Sequence, residues 1–297
     1  MAGWPNLSEL LVPVGFGSPV GLLGAPVAVG SVTPGRCDLA PALLRQTLRR
    51  IARYDVETGQ ELETLIADRG DVEVTGLNLA GAMACINDRV GESTEAHVLT
   101  LLVGGNNAIT VPAVQGLDRM GTSDFERIGL ITLDAHFDMR DLDDGLSNGN
   151  PVRVLINGGL PGANIAQVGL ASFANSKTMH DDAVAAGNLV VTIGEVRRDG
   201  IARAIDRALE HVAHCDALVI DCDIDVVDRS QFPGAPGARP GGMAVHDFFH
   251  AVRRLASDPR VRVIDLTEWD PPLDTTDLSA LTAARWVAEC VAGYEMR

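Results

Sequence analysis

Two short stretches hold most of the residues able to do chemistry. Asp134, His136, Asp138 and Arg140 directly follow the apolar run 128–133, and Asp221, Asp223, Asp225 and Asp228 follow another apolar run from 217. In an extended chain the side chains at i, i+2 and i+4 share a face. Asp134, His136 and Asp138 are therefore expected on one side, and so are Asp221, Asp223 and Asp225. Hard carboxylates with one imidazole suit a divalent cation. Carboxylates this close repel by about 1 kcal/mol or more per pair, and a cation removes that conflict. Two such strand ends can bridge two ions through shared carboxylates; the plainer alternative is aspartates capping turns and the following helix. A third stretch, Asp265-Leu-Thr-Glu268, closes the last apolar run and brings Glu268 to the same side. There it is a ligand, the partner of a cationic substrate group, or a member of a loop salt bridge.

The elements needed to position these groups are legible as alternating patterns. Strands are expected at 22–29, 72–74 (after a turn over 68–71), 98–103, 128–133, 166–171, 189–193, 217–224 and 261–266. Helical spacing of apolar residues marks 40–53, 77–90, a segment reaching Leu117, 200–214, 247–256 and 279–291. Strands apolar on both faces, alternating with helices, imply a parallel sheet covered on both sides. No linker, repeat or low-complexity segment interrupts the pattern, so one domain over 1–297 is expected. Ligands of open parallel sheets sit beyond the carboxyl ends of the strands, where all three polar stretches lie.

Composition narrows the function classes. Against 24 Lys plus Arg stand 40 Asp plus Glu, a net charge of −16, which speaks against nucleic-acid binding because that needs basic patches. The glycine-rich stretch 15–21 has the wrong spacing for a dinucleotide loop and contains Pro19. The longest uncharged stretch, 10–35, carries Pro13, Pro19, Pro26 and Pro34, so no membrane span is expected there. Five cysteines without CxxC pairing fit a reducing compartment. The start lacks a basic segment leading into an apolar core, so no secretory leader and a cytoplasmic location are expected. His97, His180, His211, His214, His246 and His250 read as structural or surface residues, His180 being the one whose loop could approach the site.

Taken together, these motifs resemble the ureohydrolase (arginase/agmatinase) superfamily over nearly the whole chain. Leu23-Gly-Ala-Pro26 resembles its opening strand and loop, and Gly104-Gly-Asn-Asn107 stands where the family has Gly-Gly-Asp-His. Asp134-Ala-His-Phe-Asp138 is the family's Asp-Ala-His-x-Asp. Ser147-Asn-Gly-Asn-Pro151 resembles its Ser-His-Gly-Thr-Pro. Asp223-Ile-Asp-Val-Val-Asp228, with the glycine-rich tail 233–242, matches the Asp-x-Asp-x-x-Asp signature, and Glu268 matches the family glutamate. The resemblance implies a three-layer α/β/α sandwich with a mainly parallel central sheet, free of antiparallel pairs. It also implies two Mn²⁺ ions holding a hydroxide that attacks an amidine or guanidine carbon. Carried over by position, Asp134 and Asp223 bridge both ions, Asp138 and Asn107 complete one site, and His136 and Asp225 complete the other. Asp138 passes the water's proton to the leaving amine, and Glu268 holds the cationic head of the substrate.

Three departures refine this. Asn107 replaces a ligand histidine, so its ion is expected to be weakly held or missing. Asn148, in the substrate loop, stands where arginases have a proton-shuttling histidine. Residues 171–177 lack the acidic groups with which arginases hold an α-amino group. Phe137, Met139, Arg140 and the segment 169–177 are similar to the formiminoglutamase (formimidoylglutamase) branch, which releases formamide from N-formimino-L-glutamate in histidine breakdown. Arg140 can clamp a substrate carboxylate with its guanidinium fork, or pair instead with Asp141 or Asp143. Arg153 and Lys177 are further carboxylate candidates. The expectation is an Mn²⁺ hydrolase of a linear amidine C–N bond acting on a small molecule, with a homo-oligomer allowed by the resemblance. Another guanidino or amidino hydrolase, or a metal-poor non-catalytic homologue, stays open.

Overall fold

The structure, a computed structural model, describes residues 4–118 and 125–297. In chain order the strands are β1 (Leu11–Pro13), β2 (Val20–Ala25), β3 (Tyr54–Asp55), β4 (Gln60–Glu61), β5 (Ile66–Asp71), β6 (Leu99–Gly104), β7 (Ile128–Leu133), β8 (Ile165–Leu170), β9 (Leu189–Thr192), β10 (Ala217–Asp223) and β11 (Val261–Thr267). Nine of them form one sheet in the order β1-β5-β2-β6-β11-β10-β7-β8-β9. Every pairing in that sheet is parallel. The chain is nonetheless not free of antiparallel pairs, because β3 and β4 form a small hairpin outside the sheet.

The helices are α1 (Ala40–Thr47), α2 (Leu79–Ala96), α3 (Thr110–Asp118), α4 (Pro151–Asn157), α5 (Lys177–Ala186), α6 (Ile193–Asp199), α7 (Ile201–His211), α8 (Val245–Ala256) and α9 (Leu278–Tyr294). The pleat of the central strands divides the core in two. Leu218, Ile220 and Cys222 of β10 pack with side chains of α1, α6, α7, α8 and α9. The alternate residues Ala217 and Val219 pack with α2, α3, α4 and α5. Apolar residues on both faces therefore bury the sheet between two helical layers, giving the three-layer sandwich. Among the described residues no helix is long and apolar enough to cross a membrane.

Two expectations about local structure are corrected. Residues 68–71 are the end of β5 and not a turn, and no strand runs over 72–74. The charges that suggested a turn are paired across the strand by Arg45 of α1, which lies 3.0 Å from Asp68 and 2.6 Å from Asp71. The first long strand starts earlier than expected and stops at Ala25, since Pro26 cannot donate to a ladder. Helices α4, α5 and α6 were not expected. α5 buries only Ala183, too little for an apolar stripe. α6 does carry a sequence signal, a Thr192/Glu195 capping box.

Ile220 is fully buried in β10 between both layers. Ile220→Ala should cost about 2–5 kcal/mol, read as a lower denaturant midpoint. Val184→Ala on the exposed side of α5 (54% exposed) should stay within about 0.5 kcal/mol. Equal midpoints for the two variants would contradict this account of the core.

Candidate metal centre

The four central strands β6, β11, β10 and β7 are adjacent, and the polar stretches leave the sheet at their carboxyl ends. Asp134 begins immediately after β7, but the backbone does not stay extended, so the expected alternation is not what gathers these side chains. Asp134 Oδ1 accepts from the His136 amide (2.6 Å), and Asn175 Oδ1 accepts from the Phe137 amide (2.9 Å). Asp138 then sits in the left-handed region at φ 51°, uncommon for a side-chain-bearing residue. This folded-back turn, and not a strand, brings Asp134, His136 and Asp138 together. After β10, Asp225 likewise lies in a 3₁₀ turn whose amide donates to Asp223 Oδ1 (2.9 Å). The result is two clusters sharing one residue. Asp134, His136 and Asp225 each offer a ligand atom within 4.8 Å of the others, as do Asp134, Asp138 and Asp223.

Asp221 does not join them. It faces Asp265 across the β10–β11 ladder, fully buried, with neither oxygen bonded to a described partner other than that carboxyl neighbour. Burial first, then the Asp265 charge, holds its pKa well above the carboxylate range. Burial lifts Asp265 too, to about 7, and its Oδ1 accepts from the Cys222 amide. Asp228 caps the following loop, accepting from the Ser230 and Gly241 amides.

Glu268 follows β11 at φ 59° and is buried. Its Oε1 accepts from the Asn107 amide (2.8 Å) and from Asn148 Nδ2 (2.9 Å). Asn148 Oδ1 in turn accepts from the Val32 amide (2.7 Å). The Asn107 side chain is turned away from the arrangement expected of a ligand. Its oxygen accepts from Thr110 (2.9 Å) and Thr267 (2.8 Å), and its nitrogen donates to Asp138 Oδ2 (2.5 Å). These threonines carried no signal in the sequence, because hydroxyls this deep are meaningful only once β11 and α3 are adjacent.

A cavity of about 390 Å³ opens onto this centre, lined by His136, Asp138, Asp223, Asp225 and Glu268, with Arg140, Asn148, Asn175 and Arg239 around them. Arg140 forms no ion pair with Asp141 or Asp143 among the described residues; its stem rests on Gly149. Arg153 is held by Asp182 (2.7 Å) and Lys177 by Asp181, so neither is free for a substrate. His180 stacks edge-on against Phe137, with ring centroids 5.7 Å apart. The loop after β10 lies directly on the centre: a Cβ on Gly237 would fall 1.9 Å from Asp225 Oδ2, so only glycine fits.

The electrostatics call for positive charge. Burial, followed by the Asp225 charge, lifts Asp134 to about 7. Burial lifts Glu268 to about 7 even though Asn148 and Asn107 oppose it. Burial and the Asp134 charge hold Asp138 well above the carboxylate range, and burial and Asp225 do the same for Asp223. Burial disfavours a charged His136, but Asp225 and Asp134 lift it to about 11, and Asp225 is lowered in return. His136 Nδ1 is 3.0 Å from Asp225 Oδ2 and 3.6 Å from Asp134 Oδ1, a proton standing where the chemistry favours a cation. Asp134 Oδ2 is buried with no hydrogen-bond partner among the described residues, a cost of several kcal/mol for a charged oxygen that a metal ion would remove. The donor set, oxygens with one imidazole, fits Mn²⁺.

A model of the arginase family matches residues 18–293. Formimidoylglutamase from Halalkalibacterium halodurans is 30% identical over 92% of this chain and 86% of its own length. The crystal structure of formimidoylglutamase from Bacillus subtilis superposes with a TM-score of 0.91 at 27% identity, covering 98% of this chain and 92% of that one. Formiminoglutamase from Trypanosoma cruzi, a structure with two Mn²⁺, has the same fold, with a TM-score of 0.91 at 21% identity over 99% of this chain and 100% of that one.

The raised groups set the pH response of the metal-free protein. A carboxyl whose folded pKa exceeds its unfolded one binds more protons when folded, so its stabilisation is present at low pH and lost as pH rises through the folded value. Asp134, Asp265 and Glu268, each near 7, act in this sense, and so does His136 above its ordinary value. Chelator-treated protein should therefore lose melting temperature between ~pH 5.5 and ~pH 8, and Mn²⁺ should restore more of it at the higher pH. A metal-free Tm that climbs over this interval would refute the assignment of buried, mutually repelling carboxyls.

Proposed function

This chain belongs to the arginase family, and we propose that it is an Mn²⁺-dependent amidine hydrolase that converts N-formimino-L-glutamate and water to L-glutamate and formamide. The observation that carries the substrate assignment is Arg140, which lines the cavity beside Asp138 with no acidic partner among the described residues. A guanidinium fork left free beside a cluster of carboxylates is suited to a substrate carboxylate, and glutamate provides one at either end. Relatives that align over most of this chain act on the same compound by name.

In this reading Asp134, His136, Asp138, Asp223 and Asp225 hold the metal, with Asp134 common to both groups. When bound, the two ions supply positive charge to the carboxylates and lower the pKa of water to give a nucleophile near neutral pH. Asn107 serves as a hydrogen-bond donor to Asp138, a different role from the ligand its position implied. Its two threonine partners fix the amide so that Asp138 keeps one orientation. Glu268 has Oε1 occupied by Asn107 and Asn148, leaving Oε2 for the amidinium head of the substrate. Its left-handed backbone holds that carboxylate in place. Asp138, buried at the cavity and fixed by the Asn107 amide, accepts the proton of the attacking water and returns it to the departing glutamate nitrogen. The bond that breaks joins that nitrogen to the formimino carbon. A reducing compartment fits the five free cysteines, and a step in histidine breakdown fits the substrate.

Assaying Mn²⁺-loaded protein against formiminoglutamate, agmatine, guanidinobutyrate and arginine tests this, with formamide from the first expected as the dominant product. Urea release without formamide would point instead to a guanidine hydrolase. Absence of both bound Mn²⁺ and turnover would leave a binding protein. Glu268→Gln should lower kcat/KM by roughly 100-fold or more through loss of the charged contact, while Mn²⁺ affinity stays unchanged because Glu268 belongs to neither ligand group. Asn107→His should tighten Mn²⁺ binding in a direct titration; an unaltered affinity would place position 107 outside reach of the metal.

A further inference from the structure

Arg239 is a second arginine at the cavity; it lies inside the glycine-rich tail 233–242, whose motif assigns it no role of its own. It arrives from a different direction than Arg140. Arg140 lies on the Asn148 side, with its stem across Gly149. Arg239 belongs to the loop laid over His136 and Asp225, two residues beyond Gly237. That loop is held rigidly. Asp228 accepts from the Gly241 amide (2.6 Å) and Arg229 Nη1 donates to the Ala235 carbonyl (2.8 Å). Arg239 Nη1 itself donates to the Gly237 carbonyl (2.7 Å) and, more weakly, to the Ala238 carbonyl (3.3 Å). One nitrogen is thus spent on aiming the guanidinium, and Nε and Nη2 remain for a ligand. Among the described residues neither Arg239 nor Arg140 takes part in an ion pair, although the chain has 40 acidic residues to its 24 basic ones. The two further carboxylate candidates of the sequence, Arg153 and Lys177, are both paired.

We propose that Arg239 is a specificity-determining residue that binds the second carboxylate of a dicarboxylate substrate, opposite in role to Arg140, so that the pocket reads both ends of the glutamate moiety. This rests on the amidine-hydrolase reading above and adds to it. Two preoriented forks give bidentate recognition of two separate carboxylates. They also offset the repulsion that a protein of net charge −16 exerts on a dianion. A substrate with one carboxylate would leave one arginine unused.

The test compares wild type, R239Q, R239K and R140Q, loaded with Mn²⁺, on three compounds. These are N-formimino-L-glutamate, N-formimino-L-glutamine with a neutral side-chain end, and N-formimino-4-aminobutyrate without the α-carboxylate. For R239Q the expected result on the dicarboxylate is a KM raised about 10- to 100-fold with kcat within about twofold of wild type. On one of the two monocarboxylates R239Q should match wild type, and R140Q should match it on the other. R239K, which keeps the charge without the fork, should recover part of the loss. An unchanged KM in R239Q, or an equal loss on all three compounds, overturns the proposal. Failure of wild type to release formamide from any of them refutes the reaction separately. Calorimetry with L-glutamate then decides the clamp: binding weakened about 10-fold or more in R239Q supports it, and equal binding overturns it.

Discussion

Seven carboxyl groups, Asp134, Asp138, Asp221, Asp223, Asp225, Asp265 and Glu268, are buried in or just beyond the carboxyl ends of three adjacent strands, β7, β10 and β11, and their mutual repulsion is the constraint on which the rest depends. Each would be costly in a dry interior on its own, and together they oppose the collapse that the apolar sheet drives. The chain answers in two ways. Deep in the sheet, Asp221 lies against Asp265, and burial raises both above the carboxylate range. Nearer the cavity, His136 stands between Asp134 and Asp225 and lowers Asp225, while burial still lifts Asp134 to about 7 and holds Asp138 and Asp223 well above the carboxylate range. Divalent cations resolve the conflict without protons, and the same charge then becomes available for chemistry.

The scaffold around this centre is correspondingly stiff. Both faces of the sheet are covered by helices, so its strand ends are fixed from either side. Buried amides and hydroxyls then lock individual atoms: Thr110 and Thr267 hold Asn107, which holds Asp138; Val32 holds Asn148, which holds Glu268. The two left-handed residues at the site, Asp138 and Glu268, are both acidic groups with assigned work. Backbone strain at such positions persists only where surrounding contacts over-determine it, and both lie where these chains of hydrogen bonds end.

Chemistry and selectivity are divided between different parts of the chain. The metal-facing residues sit within a few positions of the strand ends, where the sheet fixes them. The cations lining the cavity, proposed to meet the substrate, come from loops: Arg140 beside Gly149, and Arg239 on the glycine-rich segment after β10. Because those loops are anchored by Asp228, Asn175 and Asn150, they present charge without large freedom to rearrange, which limits the entropy lost on binding.

The sequence by itself determined the fold class, the central strands and the identity of the chemical groups. Strands apolar on both faces admit only a covered parallel sheet, and clustered Asp and His residues at strand ends leave few chemistries. It also carried the Asn107 and Asn148 substitutions. What it could not determine was which of several equally spaced carboxylates face one another. Period-two alternation put Asp221 with Asp223 and Asp225, but the turn after β10 rotates Asp225 away and leaves Asp221 against Asp265, a residue 44 positions later that only strand order brings near. Likewise Asp134, His136 and Asp138 converge through a left-handed turn and not through an extended strand. The direction of the Asn107 amide, and the Asp182 pairing that removes Arg153, are contacts between distant segments, whereas Lys177 is removed locally by Asp181 one turn along the same helix. Local patterns fix which face a side chain takes; only tertiary packing decides what it meets there.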